Sequence, residues 1–204
     1  MQTVMEKTQE PAQQEYVAPK RKPVYDVCKR IFDLFMSVFA LILLSPVFLG
    51  VAIAIKIEDG GKVFYSQTRL TKGCKEFKMF KFRTMVVGAD SEEFLEKLRK
   101  LNEMDGPAFK IKGDPRITKI GKILRKTSID ELPQLFNILK GDMTLVGPRP
   151  ERPVFVEEFG KEIENYDYRF AVKAGLTSLS HVYGRYSTYI HDRTYYDLFY
   201  ITNY

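Results

Sequence analysis

Residues 34–55 read LFMSVFALILLSPVFLGVAIAI, twenty-two positions without a formal charge. A straight helix of that length covers roughly 33 Å, about the hydrocarbon thickness of a bilayer. Three segments carry such runs: a cleavable leader, a spanning helix, and a re-entrant helix that leaves by the face it entered. Ala52-Ile53-Ala54 has the small-x-small form of a cleavage site. Yet the preceding residues are largely hydrophilic, and the run exceeds the ~7–15 residues of a leader's apolar core. Pro46 interrupts the run just after Ser45. A proline removes one helical hydrogen bond and clashes with the preceding turn, so it kinks the helix. The Ser45 hydroxyl can take up the backbone capacity thereby freed in an apolar medium. Basic residues flank both ends: Lys20, Arg21, Lys22, Lys29 and Arg30 before, Lys56, Lys62, Arg69 and Lys72 after. The positive-inside rule puts basic flanks on the cytoplasmic side, and this run shows little asymmetry. On the residues alone, the spanning and re-entrant readings stand level.

Outward from the run, residues 1–24 read as a flexible tail, 25–57 as the membrane anchor and 58–204 as a soluble-looking domain. The composition (45% hydrophobic, 13% aromatic) excludes a wholly disordered or collagen-like chain. The 32 Lys and Arg exceed the 26 Asp and Glu by six, a charge suited to nucleic acid, anionic lipid or phosphorylated substrates. A membrane anchor argues against nucleic acid. Cys28 and Cys74 are too few for a disulfide scaffold and not spaced as a zinc site, which points to free thiols in a reducing compartment.

Two strands are expected, over 63–67 and 76–85. Alternation puts Phe77, Met79, Lys81 and Arg83 on one face of the second, so that two cations converge near its end, either to grip phosphate or as a solvated edge. A helix is expected over 90–104, with Asp90 as its cap and Phe94, Leu95, Leu98 and Leu101 as its apolar stripe; 106–114 reads as a loop. Residues 117–126 form a short amphipathic helix: Ile117, Ile120, Ile123 and Leu124 on one side, Lys119, Lys122, Arg125 and Lys126 around the other. Such a helix suits a membrane interface, or an ordinary surface.

The richest stretch is 127–150, TSIDELPQLFNILKGDMTLVGPRP. Leu132, Leu135, Phe136 and Leu139 have the spacing of a core stripe, and Gly141 a C-terminal stop. Ser128 and Glu131 match a capping box, although Pro133 suits a start nearer Asp130. Either start leaves Asp130 and Glu131 in the first turn, heading a polar face with Gln134 and Asn137. The helix dipole there favours an ionised Asp130, as a nucleophile requires, and a divalent cation such as Mg2+ on Glu131 would offset repulsion from a phosphate. Carboxylates in a first turn are equally ordinary partners of the dipole. After a strand over 143–146, two prolines stiffen the backbone around Arg149, holding a guanidinium suited to forked phosphate contact, or simply making a rigid turn.

The pieces KRIFDLFMSVFALILLSPVF, KMFKFRTM, ITKIGKILRKTSIDELPQLFNILKGDMTLVGPRPE, KAGLT…VYGR and YDLFYITNY together resemble the monotopic phosphoglycosyl transferases, the bacterial polyprenyl-phosphate sugar-1-phosphate transferases, over residues 25–204. The resemblance implies a mixed α/β, mainly helical fold: a re-entrant helix broken at Ser45-Pro46, amphipathic interfacial helices, a small β element, and a catalytic domain on the cytoplasmic face of the inner membrane. It implies a ping-pong reaction. Asp130 attacks a UDP-sugar, UMP leaves, and polyprenyl (undecaprenyl) phosphate takes the sugar-phosphate from the enzyme, a first membrane step of surface-glycan synthesis. Glu131 is then the ligand of Mg2+. Lys81, Arg83, Arg125, Arg149 and Arg185 are expected to bind substrate phosphates or nucleotide, and Asp197 falls on an aspartate of the family pattern grouped with them. Membrane lipids are expected partners; which sugar, which pathway and whether a homodimer forms stay open. Ala174, Ser178, Ser180 and His181 depart from the usual pattern, His181 reading as a substitution in a substrate-side loop. Relatives usually continue past the position of Tyr204, so a piece lacking its C-terminal end is expected. The rival reading is a non-catalytic, basic membrane-surface binding module.

Overall fold

The computed structural model describes residues 22–89, 91, 113–183 and 190–203. The helix expected over 90–104 and most of the 106–114 loop lie outside them, as does Arg185.

The apolar run becomes two helices, α1 (Pro23–Leu43) and α2 (Ser45–Asp59), bent by 59° at the break. No single described helix is long and apolar enough to cross a membrane; the bent pair reaches that mark together, in length and composition alone. Pro46 has no N–H for the Ile42 carbonyl, and the Ser45 hydroxyl donates to that same oxygen at 2.8 Å. α1 is inside-out. Its buried residues are Asp33 and Ser37, while Ile31, Phe35 and Ile42 are more than 60% exposed. Thr144 Oγ1 donates to Asp33 Oδ2 at 2.5 Å and the Leu145 N–H to Oδ1 at 3.2 Å, while Arg30 donates to the carbonyls of Ile138 and Leu139 at 2.6 and 3.0 Å. α2 is fastened at its other end, where Glu58 accepts the Lys119 N–H at 2.7 Å.

β1 (Phe64–Thr71) and β2 (Lys75–Phe82) pair antiparallel, Phe64 opposite Phe82. β1 runs four residues past the expected end because the Glu151 carbonyl accepts the Leu70 N–H at 3.0 Å, and Leu70 joins an apolar cluster with Val156, Tyr166 and Phe170. β2 sends Phe77 and Met79 into a second cluster with Leu135, Ile138 and Met143, and Phe82 into a third with Ile55 and Leu124. The β-hairpin thus reaches all three cores.

α3 (Lys119–Thr127) starts at Thr118, whose hydroxyl accepts the Gly121 N–H at 2.9 Å. A three-residue 3-10 turn, Ile129–Glu131, leads to α4 (Gln134–Lys140). β3 (Met143–Val146) follows, then α5 (Pro153–Glu162), a 3-10 turn Tyr166–Ala171, β4 (Ala174–Thr177), α6 (Leu179–Tyr183) and α7 (Ile190–Thr202). β4 pairs parallel with β3, Val146 beside Thr177. The architecture is mixed α/β and mostly helical, with two two-stranded sheets.

Two local expectations around α4 fail. The capping box does not form: Ser128, at φ 57°, closes α3 instead, and its side chain makes no cap bond to the turn Ile129–Glu131. The core stripe is also rotated. Phe136 is 41% exposed, whereas Gln134, Asn137 and Ile138 are buried. Asn137 explains the rotation. Its side chain accepts the Phe80 N–H at 2.9 Å and donates to the Lys78 carbonyl at 2.8 Å, completing β2's open edge. Backbone groups of an edge strand need such partners when buried.

Candidate active site

Asp130 and Glu131 stand on the 3-10 turn, held between α3 and α4. Alternation along β2 delivers Lys81 to them: its ammonium donates to Glu131 Oε1 at 2.8 Å and lies 4.0 Å from Asp130 Oδ2. Arg149 adds a second cation to the same Glu131 oxygen, at 3.3 Å. Arg125, on the last turn of α3, is steadied by Thr84 at 2.9 Å and contributes to the field at Asp130.

The Arg149 loop is rigid for reasons beyond its two prolines. Gly147 donates to the Thr177 carbonyl at 3.0 Å and Gly175 to the Pro148 carbonyl at 2.8 Å. The strands approach so closely here that a Cβ on Gly175 would lie 2.2 Å from the Gly147 nitrogen. Arg169 donates to the Arg149 carbonyl at 3.0 Å, and Arg69 to that of Pro150 at 3.1 Å.

Two adjacent carboxyls are therefore driven apart in acidity. Burial works to raise Glu131, but Arg149 and Lys81 overcome it and hold it at about 2. Burial raises Asp130 above the ordinary aspartate range, with Lys81 and Arg125 pulling back against it. Burial and two side-chain cations set this balance at Asp130, which sits on a 3-10 turn that runs through the helical backbone of Leu132 and Pro133 into α4. Burial lowers Lys81 as well, against the Glu131 charge. Such opposed shifts mark groups prepared for different roles.

Of the residues singled out in the sequence, Lys81, Arg125, Asp130, Glu131 and Arg149 come together. Arg83 does not join them. Its guanidinium forks onto the Asp59 carboxylate and donates to the Lys62 carbonyl at 2.6 Å, tying β2 to the end of α2. It leaves the Lys81 face because β2 ends at Phe82, so the alternation does not carry on to residue 83. Asp197 lies deeper, 1% exposed, bonded at 2.7 Å by Arg169, which is itself buried. Its link to the site runs through Arg169 to the Arg149 backbone rather than through open space. Burial pushes the Asp197 carboxyl up to about 6, against the pull of Arg169. Sequence reasoning missed Arg169, Arg69 and Glu151, because buried cations paired across long separations leave no periodic signal. Among the described residues, no group of three or more His, Cys, Asp or Glu gathers to hold a metal; Asp130 and Glu131 are a pair.

A family model described as bacterial sugar transferase matches residues 24–204. The chain is 40% identical over 185 residues to the UDP-N-acetylgalactosamine-undecaprenyl-phosphate N-acetylgalactosaminephosphotransferase of Aeromonas hydrophila, covering 89% of this chain and 41% of that protein. It is 41% identical over 182 residues to the undecaprenyl-phosphate galactose phosphotransferase of Salmonella typhimurium, covering 86% and 36%. It is 39% identical over 188 residues to the exopolysaccharide production protein ExoY of Sinorhizobium fredii, covering 89% and 80%. The chain thus spans only about two-fifths of the length of the first two. With the matched span and the identities agreeing, the chain belongs to the bacterial sugar transferase family.

Proposed function

We propose that this chain transfers a sugar-1-phosphate from a UDP-sugar to a polyprenyl phosphate, with Asp130 as nucleophile. The observation that carries the reading is the divided carboxyl pair: Asp130 beside the Lys81 ammonium, and Glu131 held ionised by two cations. The names of the relatives supply the substrate classes.

An Asp130 carboxylate oxygen bonds to the β-phosphorus of the donor as the bridging P–O bond breaks and UMP leaves with its oxygen. A phosphate oxygen of the polyprenyl acceptor then bonds to that phosphorus, and the P–Oδ bond breaks to restore the carboxylate. Covalent relay splits one hard displacement into two. Lys81 lowers the cost of the ionised Asp130 and faces the incoming phosphate. Arg149 and Arg125 offer further charge to the phosphoryl oxygens, which carry much of the transition-state charge.

Mg2+ fits the donor set. Lys81 and Arg149 both close on Glu131 Oε1, leaving Oε2 for a metal. Mg2+ commonly takes one or two carboxylates and completes its shell with water and substrate phosphates. When bound, it would neutralise charge on the donor diphosphate.

The inside-out α1 and the bent pair support re-entrant insertion, with the apolar side of the pair in lipid and the polar residues toward the body, and the basic residues flanking both ends favour entry from the cytoplasmic face. In a cysteine-free background, Cys28 and Cys74 both being exposed, single cysteines at positions 20 and 60 in sealed vesicles label from the same side; opposite sides would mean a spanning helix.

The deciding experiment is intact-mass analysis after brief exposure to UDP-sugar. The chain gains the mass of a phosphorylated sugar, and Asp130→Asn does not. Product accumulating with no such adduct ever trapped would defeat the nucleophile assignment. UMP release by Asp130→Asn at the original rate would do the same; absence of UMP release from any UDP-sugar by the parent chain is the outcome that would favour the binding-module reading.

A further inference from the structure

His181 is not explained by the chemistry above, and it stands where the chain departs from its family's usual pattern. Its place follows from topology. β3 and β4 run parallel with Val146 beside Thr177, so both strands leave the sheet at the same end. Three residues beyond Val146 stands Arg149; four beyond Thr177 stands His181. Side chains at the carboxyl ends of adjacent parallel strands commonly converge on a ligand site. Here Arg149 Nη1 donates to His181 Nε2 at 2.8 Å, while Nη2 of the same guanidinium reaches Glu131. The backbone that carries the imidazole is held in turn. The His181 backbone N–H donates to the Ser178 carbonyl at 3.1 Å and to its hydroxyl at 3.3 Å, and the Ser178 and Ser180 hydroxyls bond each other at 2.8 Å, both buried. Three of the departing residues therefore form one hydrogen-bonded unit that fixes the backbone from which the His181 ring reaches Arg149.

We propose that His181 is a positioning residue for the donor diphosphate: its Nε2 lone pair holds one arm of the Arg149 fork, so that the guanidinium is presented at a fixed angle beside Glu131. An acceptor is required, because a second cation would push the fork away. Nε2 accepts only in the neutral ring with the proton on Nδ1. Partial burial and the Arg149 charge lower the ring to about 4, which leaves it neutral near pH 7. Arginine freed of such a partner must be ordered by the substrate itself, which weakens binding more than chemistry.

The inference rests on the transferase reading, and two measurements separate their failures. In the full chain, nitrogen-15 NMR of labelled histidine distinguishes two residues only, His181 and His191. His181 is expected as the Nδ1–H tautomer, and Arg149→Ala is expected to return it to the usual Nε2–H form. In steady-state UMP release, His181→Ala is expected to raise the KM for UDP-sugar about tenfold with kcat little changed, the size of one charge-assisted hydrogen bond. His181→Gln, whose amide oxygen can accept in the same place, is expected to recover to within about threefold. A tautomer indifferent to Arg149→Ala overturns the inference. So does a KM unchanged in His181→Ala, or equal loss in Gln and Ala variants. If the parent chain releases no UMP from any UDP-sugar, the transferase reading falls and the NMR result decides the contact by itself.

Discussion

Two carboxylate–cation pairs in this chain have nearly the same length and opposite consequences. Lys81 meets Glu131 at 2.8 Å with both side chains about one-fifth exposed, and Glu131 is held down at about 2. Arg169 meets Asp197 at 2.7 Å with both 1% exposed, and Asp197 is pushed up to about 6. Distance therefore does not decide the outcome. Glu131 has two cations on one oxygen and keeps some water. Asp197 shares its cation with Tyr166 and the Arg149 carbonyl, and its Oδ1 is buried with no hydrogen-bond partner among the described residues. Removing water costs a charge more than one shared partner returns. On the proposed reading the shallow pair is where a phosphate would enter, while the deep one is enclosed as a strut.

The sharpest way to break this contrast is at the shallow end. Asp130→Asn should cut UMP release by about 10^4-fold while leaving the melting temperature within a few degrees, since it removes a nucleophile and little packing. A loss of that size accompanied by unfolding would put Asp130 among the struts.

At the deep end, Asp197→Ala should cost stability first. Leaving Arg169 buried without its carboxylate is worth about 3–5 kcal/mol, a fall of roughly 10 °C for a chain of this size, read by thermal denaturation. Activity lost at a temperature where the variant remains folded would instead report the Arg149 backbone shifting.

The pH profile sharpens the comparison. Glu131 stays ionised down to about 2, so an acid limb in the working range belongs to Asp197, at about 6, or to Asp130, whose carboxyl burial raises, and Lys81 acts on the Asp130 limb alone. The ionised form is the reactive one, so activity falls as pH drops through that value. Lys81→Met removes the cation that favours ionisation. The limb should move to higher pH by about one unit, and a shift the other way would reverse the assigned electrostatics.

The smallest effect is expected at Arg83. Its pair with Asp59 is partly exposed. Arg83→Ala should leave UMP release within about threefold and cost about 1 kcal/mol or less in denaturant unfolding. A collapse of activity would return Arg83 to the phosphate site.

Much of this was readable from residue order. The Ser45-Pro46 break follows from one missing N–H, and Lys81 reaches the carboxyls because strands alternate. What escaped reading depended on partners far along the chain. Asn137 looks like a polar surface residue until β2's edge lies beside it. Asp197 looks like a binding residue until Arg169, 28 positions away, encloses it. Arg83 looked like Lys81's companion because a strand was expected to continue past Phe82. Periodicity reports which way a side chain points, and says nothing of what will cover it.

The bent helix pair is fastened to the body at both its extremities, by Arg30 and Asp33 on one leg and by Glu58 and Asp59 on the other. One residue added to either leg would rotate everything beyond it by about 100° and advance it by about 1.5 Å, tearing those fastenings out of line. Leg length is thus set from within, by the spacing of its own bolts, and the carboxyl pair inherits a fixed height above whatever surface the pair enters.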